Sequence, residues 1–230
     1  MARSSNQESA KVRRARILIG GGIAAVVVVV AAVGLFFALR PVGEIAPGTH
    51  YDTLAAAERP RRGDVVVTEY FSYGCVHCRN FDPQIESWSA RLPEGVRFER
   101  VPVAFSGSWR NLAAAYYAAE ELDILGRNHD RLFAAIHDRG LNLATPASIG
   151  QLIDGNGTDA ETFRRRMSAP SVIRSLDTAA RRATEDGIRA VPTLVVDGRY
   201  RISNADLSRQ QILTVADQLI RQELDAREGR

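Results

Sequence analysis

The sequence predicts an α/β fold in which a sheet is interrupted by a block of helices and then resumes, preceded by a single N-terminal transmembrane helix. Three observations predict it. Strand-type runs occur early, at 65–71 and 97–105, and late, at 193–196 and 200–202. Helix-type spacing fills residues 107–186 between them. Residues 17–39 contain no charge at all. A sheet that stops and restarts around helices is the pattern of an inserted helical subdomain.

The first segment sets the compartment. At about 1.5 Å per residue, a helix over 17–39 crosses a hydrocarbon core of about 30 Å with some tilt. Arg3, Lys11, Arg13, Arg14 and Arg16 precede it against one acid, Glu8. That excess keeps residues 1–16 in the cytoplasm as a basic tail and sends the rest across the membrane. The competing reading is a cleaved signal peptide, whose apolar region is ordinarily about 7–15 residues and ends in a small-x-small site. Here the run is longer and ends in Phe36-Phe37-Ala38-Leu39-Arg40-Pro41, which favours an uncleaved anchor. Residues 1–16 hold five of the 30 basic and one of the 27 acidic residues, so the remainder is formally −1. The basic balance belongs to the anchor's flank and does not point to nucleic acid.

Residues 40–49, with Pro41, Gly43, Pro47 and Gly48, read as a linker, and 50–230 as one domain. A short strand is expected at 50–54. The run at 65–71 is nearly all apolar, as suits a central strand covered on both faces. A helix starts at Cys75, with Pro83 as a point of kinking. Leu112 to Ala119 holds strong helix formers, and Leu132, Phe133 and Ile136 form an apolar face over 130–137. Thr145-Pro146 marks a helix start. Thr158-Asp159-Ala160-Glu161 reads as a capping box. A further helix covers 171–186. Asp197-Gly198 between two β-type runs is a hairpin signal. A last amphipathic helix over 207–226 carries Ile212, Val215, Leu219 and Ile220 on one face.

The chemistry lies in Cys75-Val76-His77-Cys78, which contains both cysteines of the chain. Thiols at i and i+3 on a first helical turn can approach closely enough to bond. CxxC between a strand and a helix is a thioredoxin-like redox signature. Cys75, at the helix start, faces unpaired N–H groups and the positive end of the helix dipole, which favour a thiolate. A protonated His77 in the same turn adds to that effect; otherwise His77 is an exposed helix residue with no influence on sulfur. Cys78 lies a turn deeper, where it resolves a mixed disulfide. A zinc site needs four ligands, and His50, His129 and His137 are scattered, with the last two eight apart. A purely structural disulfide closing so small a ring adds little by chain entropy. No metal or cofactor is expected.

Tyr70-Phe71-Ser72-Tyr73-Gly74-Cys75-Val76-His77-Cys78, Leu92-Pro93-Glu94-Gly95-Val96, Val191-Pro192-Thr193 and Asp197-Gly198-Arg199-Tyr200 together resemble the DsbA-type thiol:disulfide oxidoreductases of the thioredoxin superfamily. The similarity covers residues 50 to about 225. It implies a thioredoxin-like fold with the helical insertion at about 107–186. It implies that Cys75 is the exposed nucleophile and Cys78 the resolving thiol. Pro192 is then a cis proline beside the sulfurs; without the resemblance, an ordinary trans proline opening a strand would be the reading. Val191, with Val76, would bind substrate, its backbone pairing with an extended peptide. Glu69 matches a buried acid, and Arg100 falls where the family has a lysine; the pair tunes or relays the Cys78 proton, or else is a surface ion pair. Val76 stands where the best-known members have proline.

The activity this implies is dithiol–disulfide exchange that introduces disulfides into reduced exported proteins through a Cys75 mixed disulfide. Reoxidation would come from a quinone-linked membrane partner of the DsbB type. The chain would be a single-pass, monomeric inner-membrane protein of bacteria with its catalytic domain on the periplasmic side. The alternatives are a reductase or isomerase of similar fold, and a non-catalytic anchored chaperone.

Overall fold

A computed structural model of the chain describes residues 43–58, 63–202 and 206–229. The expected tail and anchor, 1–39, lie outside these residues. Among the described residues no helix is long and apolar enough to cross a membrane.

Five strands form one sheet: β1 (Tyr51–Thr53), β2 (Val65–Phe71), β3 (Val96–Pro102), β4 (Thr193–Val196) and β5 (Tyr200–Ile202). Their spatial order is β1-β5-β4-β2-β3. Only β2 and β3 run parallel; the other neighbours are antiparallel. β2 is therefore central, as its apolar sequence predicts. The period of two along a strand divides its side chains between two cores. Val65 and Val67 pack with Phe81, Ile85 and Trp88 of α1 (Val76–Ser89) and with Val215 and Leu219 of α7 (Arg209–Glu228). Tyr70 packs on the opposite face with Ala179 and Ala183 of α6 (Pro170–Glu185). Glu69 shares the parity of Val65 and Val67, which aims it beneath α1.

The insertion between β3 and β4 comprises α2 (Gly107–Glu121), α3 (Leu125–His137), α4 (Pro146–Ile153), α5 (Ala160–Met167) and α6. A third core, with Ala115, Leu132, Phe133, Ile149 and Phe163, fills it and continues into Phe71, Tyr73 and Cys78. The insertion thus packs directly against the segment that carries the cysteines.

Local differences from the sequence expectations have local causes. β3 stops at Pro102 rather than 105; the last bond toward β2 is Val103 N–H to Phe71 O, 2.8 Å, before the chain turns into α2. α2 takes in the helix formers at 112–119 and begins at Gly107, where Ser106 caps it by accepting from Trp109 N–H. α5 is capped by Asp159, not Thr158: the Asp159 carboxylate accepts from Thr162 N–H at 2.8 Å. α4 has its expected start, with Thr145 as cap and Pro146 in the first turn. α1 runs through Pro83 with Cys75 as its N-cap residue. Asp197 and Gly198 both have positive φ, 55° and 63°, as the β4–β5 hairpin requires.

Candidate active site

The chain leaves β2 at Phe71 and reaches α1 through Ser72-Tyr73-Gly74. Two hydrogen bonds shape this turn: Cys75 N–H to Ser72 O, 3.1 Å, and Gly74 N–H to Ser72 Oγ, 3.1 Å. Gly74 is required by its neighbour, since a Cβ there would lie 2.4 Å from Nε1 of Trp109. The turn delivers Cys75 to the N-cap of α1 in an extended conformation, φ −99° and ψ 116°.

Cys75 and Cys78 are both free thiols here. Cys75 is 8% exposed and Cys78 fully buried. The resemblance implies an exposed nucleophile; Cys75 is instead largely covered, with Trp109 over the adjacent Gly74 and the 190–192 loop alongside. Its thiol donates to the Val191 carbonyl at 3.3 Å, and the Val191–Pro192 peptide is cis. Val76 is 49% exposed beside it, and His77 is exposed.

The two sulfurs are electrostatically unequal. The Cys75 thiol is lowered to about 6, foremost by the hydrogen bond from the Cys78 thiol. Burial opposes this; the N–H groups of Cys78 and His77 and the charge of His77 assist it. Burial pushes the Cys78 thiol far up, and its role as donor to Cys75 pushes it further. In the reduced pair, one sulfur therefore holds negative charge and the other holds a proton.

Below Cys78 lies a chain of charged groups. Glu69, 2% exposed, accepts from Arg100 Nε at 2.9 Å. The same guanidinium reaches Asp82 at 3.2 Å and Glu86 at 2.9 Å. The Arg100 side chain is only 13% exposed, so Glu69–Arg100 is a buried pair and not a surface one. Burial raises the Glu69 carboxyl to about 7, against the lowering effect of Arg100. Burial also pushes Asp82 up, but the His129 hydrogen bond and the charges of His129, Arg100 and Arg79 outweigh it and hold Asp82 low.

All eight residues singled out in the sequence meet at one end of β2: Cys75, Val76, His77, Cys78, Val191 and Pro192 around the sulfurs, Glu69 and Arg100 beneath them. Sequence reasoning missed Tyr73, Asp82, His129 and His137. His129 Nε2 lies 2.9 Å from Asp82 Oδ1, and its Nδ1 lies 2.8 Å from the Tyr73 hydroxyl. His137 Nε2 donates to the Tyr73 carbonyl at 2.8 Å. The signal was present: His129, Phe133 and His137 recur at i, i+4 and i+8, which places them on one face of a helix.

The match with known proteins follows the same residues. The family model for the DSBA-like thioredoxin domain matches residues 66–213. The thiol:disulfide interchange protein DsbA of Azotobacter vinelandii is 36% identical over 165 residues, which is 71% of this chain and 77% of that protein. DsbA of Pseudomonas aeruginosa is 31% identical over 196 residues, 84% of this chain and 93% of that protein. The crystal structure of Pseudomonas aeruginosa DsbA superposes with a TM-score of 0.74 at 32% identity, covering 80% of this chain and 97% of that one. The oxidoreductase DsbA from Xylella fastidiosa gives 0.73 at 31% identity, covering 79% and 98%. With the motif, the fold and these relatives in agreement, the chain belongs to the DSBA-like thioredoxin-domain family.

Proposed function

We propose that this chain is a thiol:disulfide oxidoreductase that donates a disulfide to exported proteins. The observation that carries this reading is the inequality of the two sulfurs: Cys75 lowered to about 6 at a helix N-cap, Cys78 buried and held protonated behind it.

The exchange runs from the Cys75–Cys78 disulfide. A substrate thiolate attacks Cys75 Sγ, the Cys75–Cys78 bond breaks, and its electron pair leaves on Cys78, which takes up a proton. Glu69, beneath Cys78 and raised to about 7 by burial, supplies that proton through its own protonated form. A second substrate thiolate then attacks the substrate sulfur of the mixed disulfide. Cys75 leaves as a thiolate, held by the N–H groups of His77 and Cys78. The substrate has lost two electrons and two thiol protons; the enzyme has gained the electrons. A low Cys75 pKa makes it a good leaving group and stabilises the reduced enzyme, so the disulfide is a strong oxidant. The Val191 backbone, beside Sγ, pairs with an extended substrate segment, and exposed Val76 contacts its side chains.

Residues 17–39 and the basic flank before them support a single-pass anchor with the exchange domain outside the cytoplasm. A quinone-linked membrane protein then collects the two electrons. Protease accessibility of the domain in intact and opened cells tests the orientation.

The central test is disulfide formation in a reduced peptide by the oxidised chain, compared with Cys75→Ser. The variant is expected to lose exchange entirely; retained activity sinks the reading. Equilibration with glutathione fixes the direction of flow, and a couple as reducing as thioredoxin's would make the chain a reductase.

A further inference from the structure

Three side chains of α3 contact the segment that positions the sulfurs or the helix that begins there. His137 holds the Tyr73 carbonyl, His129 holds both the Tyr73 hydroxyl and Asp82, and Asp130 pairs with Arg79, one residue past Cys78. Asp138, just past the end of α3, also pairs with Arg79 at 2.5 Å. Tyr73 is 1% exposed, and its ring meets those of Phe71 and Phe133 edge-on, at centroid distances of 5.2 and 4.9 Å.

The donor and acceptor roles at His129 are constrained. The Asp82 carboxylate only accepts, so Nε2 carries a hydrogen. In the neutral ring Nδ1 accepts from the Tyr73 hydroxyl; in the charged ring it donates to it. Both bonds persist in either state. The path Tyr73–His129–Asp82–Arg100–Glu69 joins the turn before Cys75 to the acid beneath Cys78.

We propose that His129 is a positioning residue for the exchange reaction: by holding Tyr73 and Asp82 at once it fixes the turn that presents Cys75 Sγ to the first amides of α1, so the helical insertion helps set the redox poise of the couple. This rests on the oxidoreductase reading above. A thiolate at the N-cap gains from those amides only while they point at it. Without His129 the Tyr73 hydroxyl loses its partner in a buried site, a cost that favours movement of the ring and the turn attached to it.

The test measures two quantities on the full chain in detergent: the Cys75 pKa by thiolate absorbance, and the equilibrium constant with glutathione. His129→Phe keeps a ring and removes both hydrogen bonds. It is expected to raise the Cys75 pKa by roughly one pH unit and to shift the glutathione equilibrium roughly tenfold toward the reducing side, about 30 mV for this two-electron couple. His129→Gln should restore most of both, because its amide N–H reaches Asp82 while its oxygen accepts from Tyr73. Tyr73→Phe should move both quantities in the same direction as His129→Phe, and the double variant by less than the sum. A His129→Phe protein that melts lower yet keeps the parent's pKa and potential overturns the inference, as does failure of Gln to rescue. Should His129→Phe not fold, Tyr73→Phe decides alone, and an unmoved Cys75 overturns it. A parent thiol ionising near the ordinary value of 9.0 is a different failure, that of the oxidoreductase reading itself.

Discussion

Cys75 controls how the molecule responds to pH. Its folded pKa of about 6 lies below the ordinary thiol value of 9.0, while Cys78 stays protonated throughout. Below pH 6 the couple takes up two protons with two electrons, and above it only one. The potential should therefore fall by about 60 mV per pH unit below pH 6 and by about 30 mV above it. A glutathione titration at several pH values checks this, and a single slope through the range contradicts it. Glu69 acts in the opposite sense. Its folded value, about 7, lies above its ordinary value of 4.5, so the native state keeps a proton that the unfolded chain has lost. Its contribution to stability is thus present below pH 4.5 and declines as pH rises to 7. Denaturation of the disulfide form should show the parent losing stability relative to Glu69→Gln across that window.

At the scale of elements, the site is a turn and a helix start held from both sides. Gly74 lets Trp109 of α2 lie over the turn, and its replacement by Ala places a methyl group 2.4 Å from the indole nitrogen. The indole must move aside, at a cost of about 1–3 kcal/mol by analogy with overpacked cores. Trp109 fluorescence and the melting temperature of Gly74→Ala report both effects. Much of this element structure was legible in the sequence. β2 announced itself by a nearly all-apolar run, the β4–β5 hairpin by Asp197-Gly198, and the sulfurs by their spacing. The buried partners were not legible. Asp82 reads as an ordinary helix acid, and His129 and His137 lie far along the chain from the groups they touch. Only the packing of α3 against β2 and α1 makes them neighbours. Arg100 shows the middle case: its residue type marked a candidate pair with Glu69, but burial was decided by the parallel register that sets Glu69 opposite Arg100.

For the whole molecule, the low Cys75 pKa ties folding to redox state. Because the unfolded reduced chain binds a thiol proton between pH 6 and 9 that the native chain has released, stability of the reduced form rises with pH across that window and is lost as pH falls through 6. The distance between the folded and ordinary values corresponds to at most about 4 kcal/mol. The disulfide form has no such dependence, so the gap in stability between the two forms should change steadily from pH 6 to 9, in favour of the reduced one. Parallel denaturant unfolding of both forms checks this; a constant gap contradicts it.

The insertion leaves the sheet after β3 and returns at β4, and only β2 separates those strands. Its two ends are therefore about 10 Å apart, two strand spacings, a gap that about four extended residues span. The five helices are in that sense one cassette, although its last helix, α6, also covers the sheet face that presents Tyr70 and Val195. A chain shortened at that seam would keep its hairpin and its CxxC, but it would surrender every α3 contact with Tyr73, expose Phe71 and bare the Tyr70 face that α6 covers. Natural or engineered variation in the cassette is thus a route for retuning electron affinity without touching the sulfurs, and lineages that resize it should also drift in oxidising power.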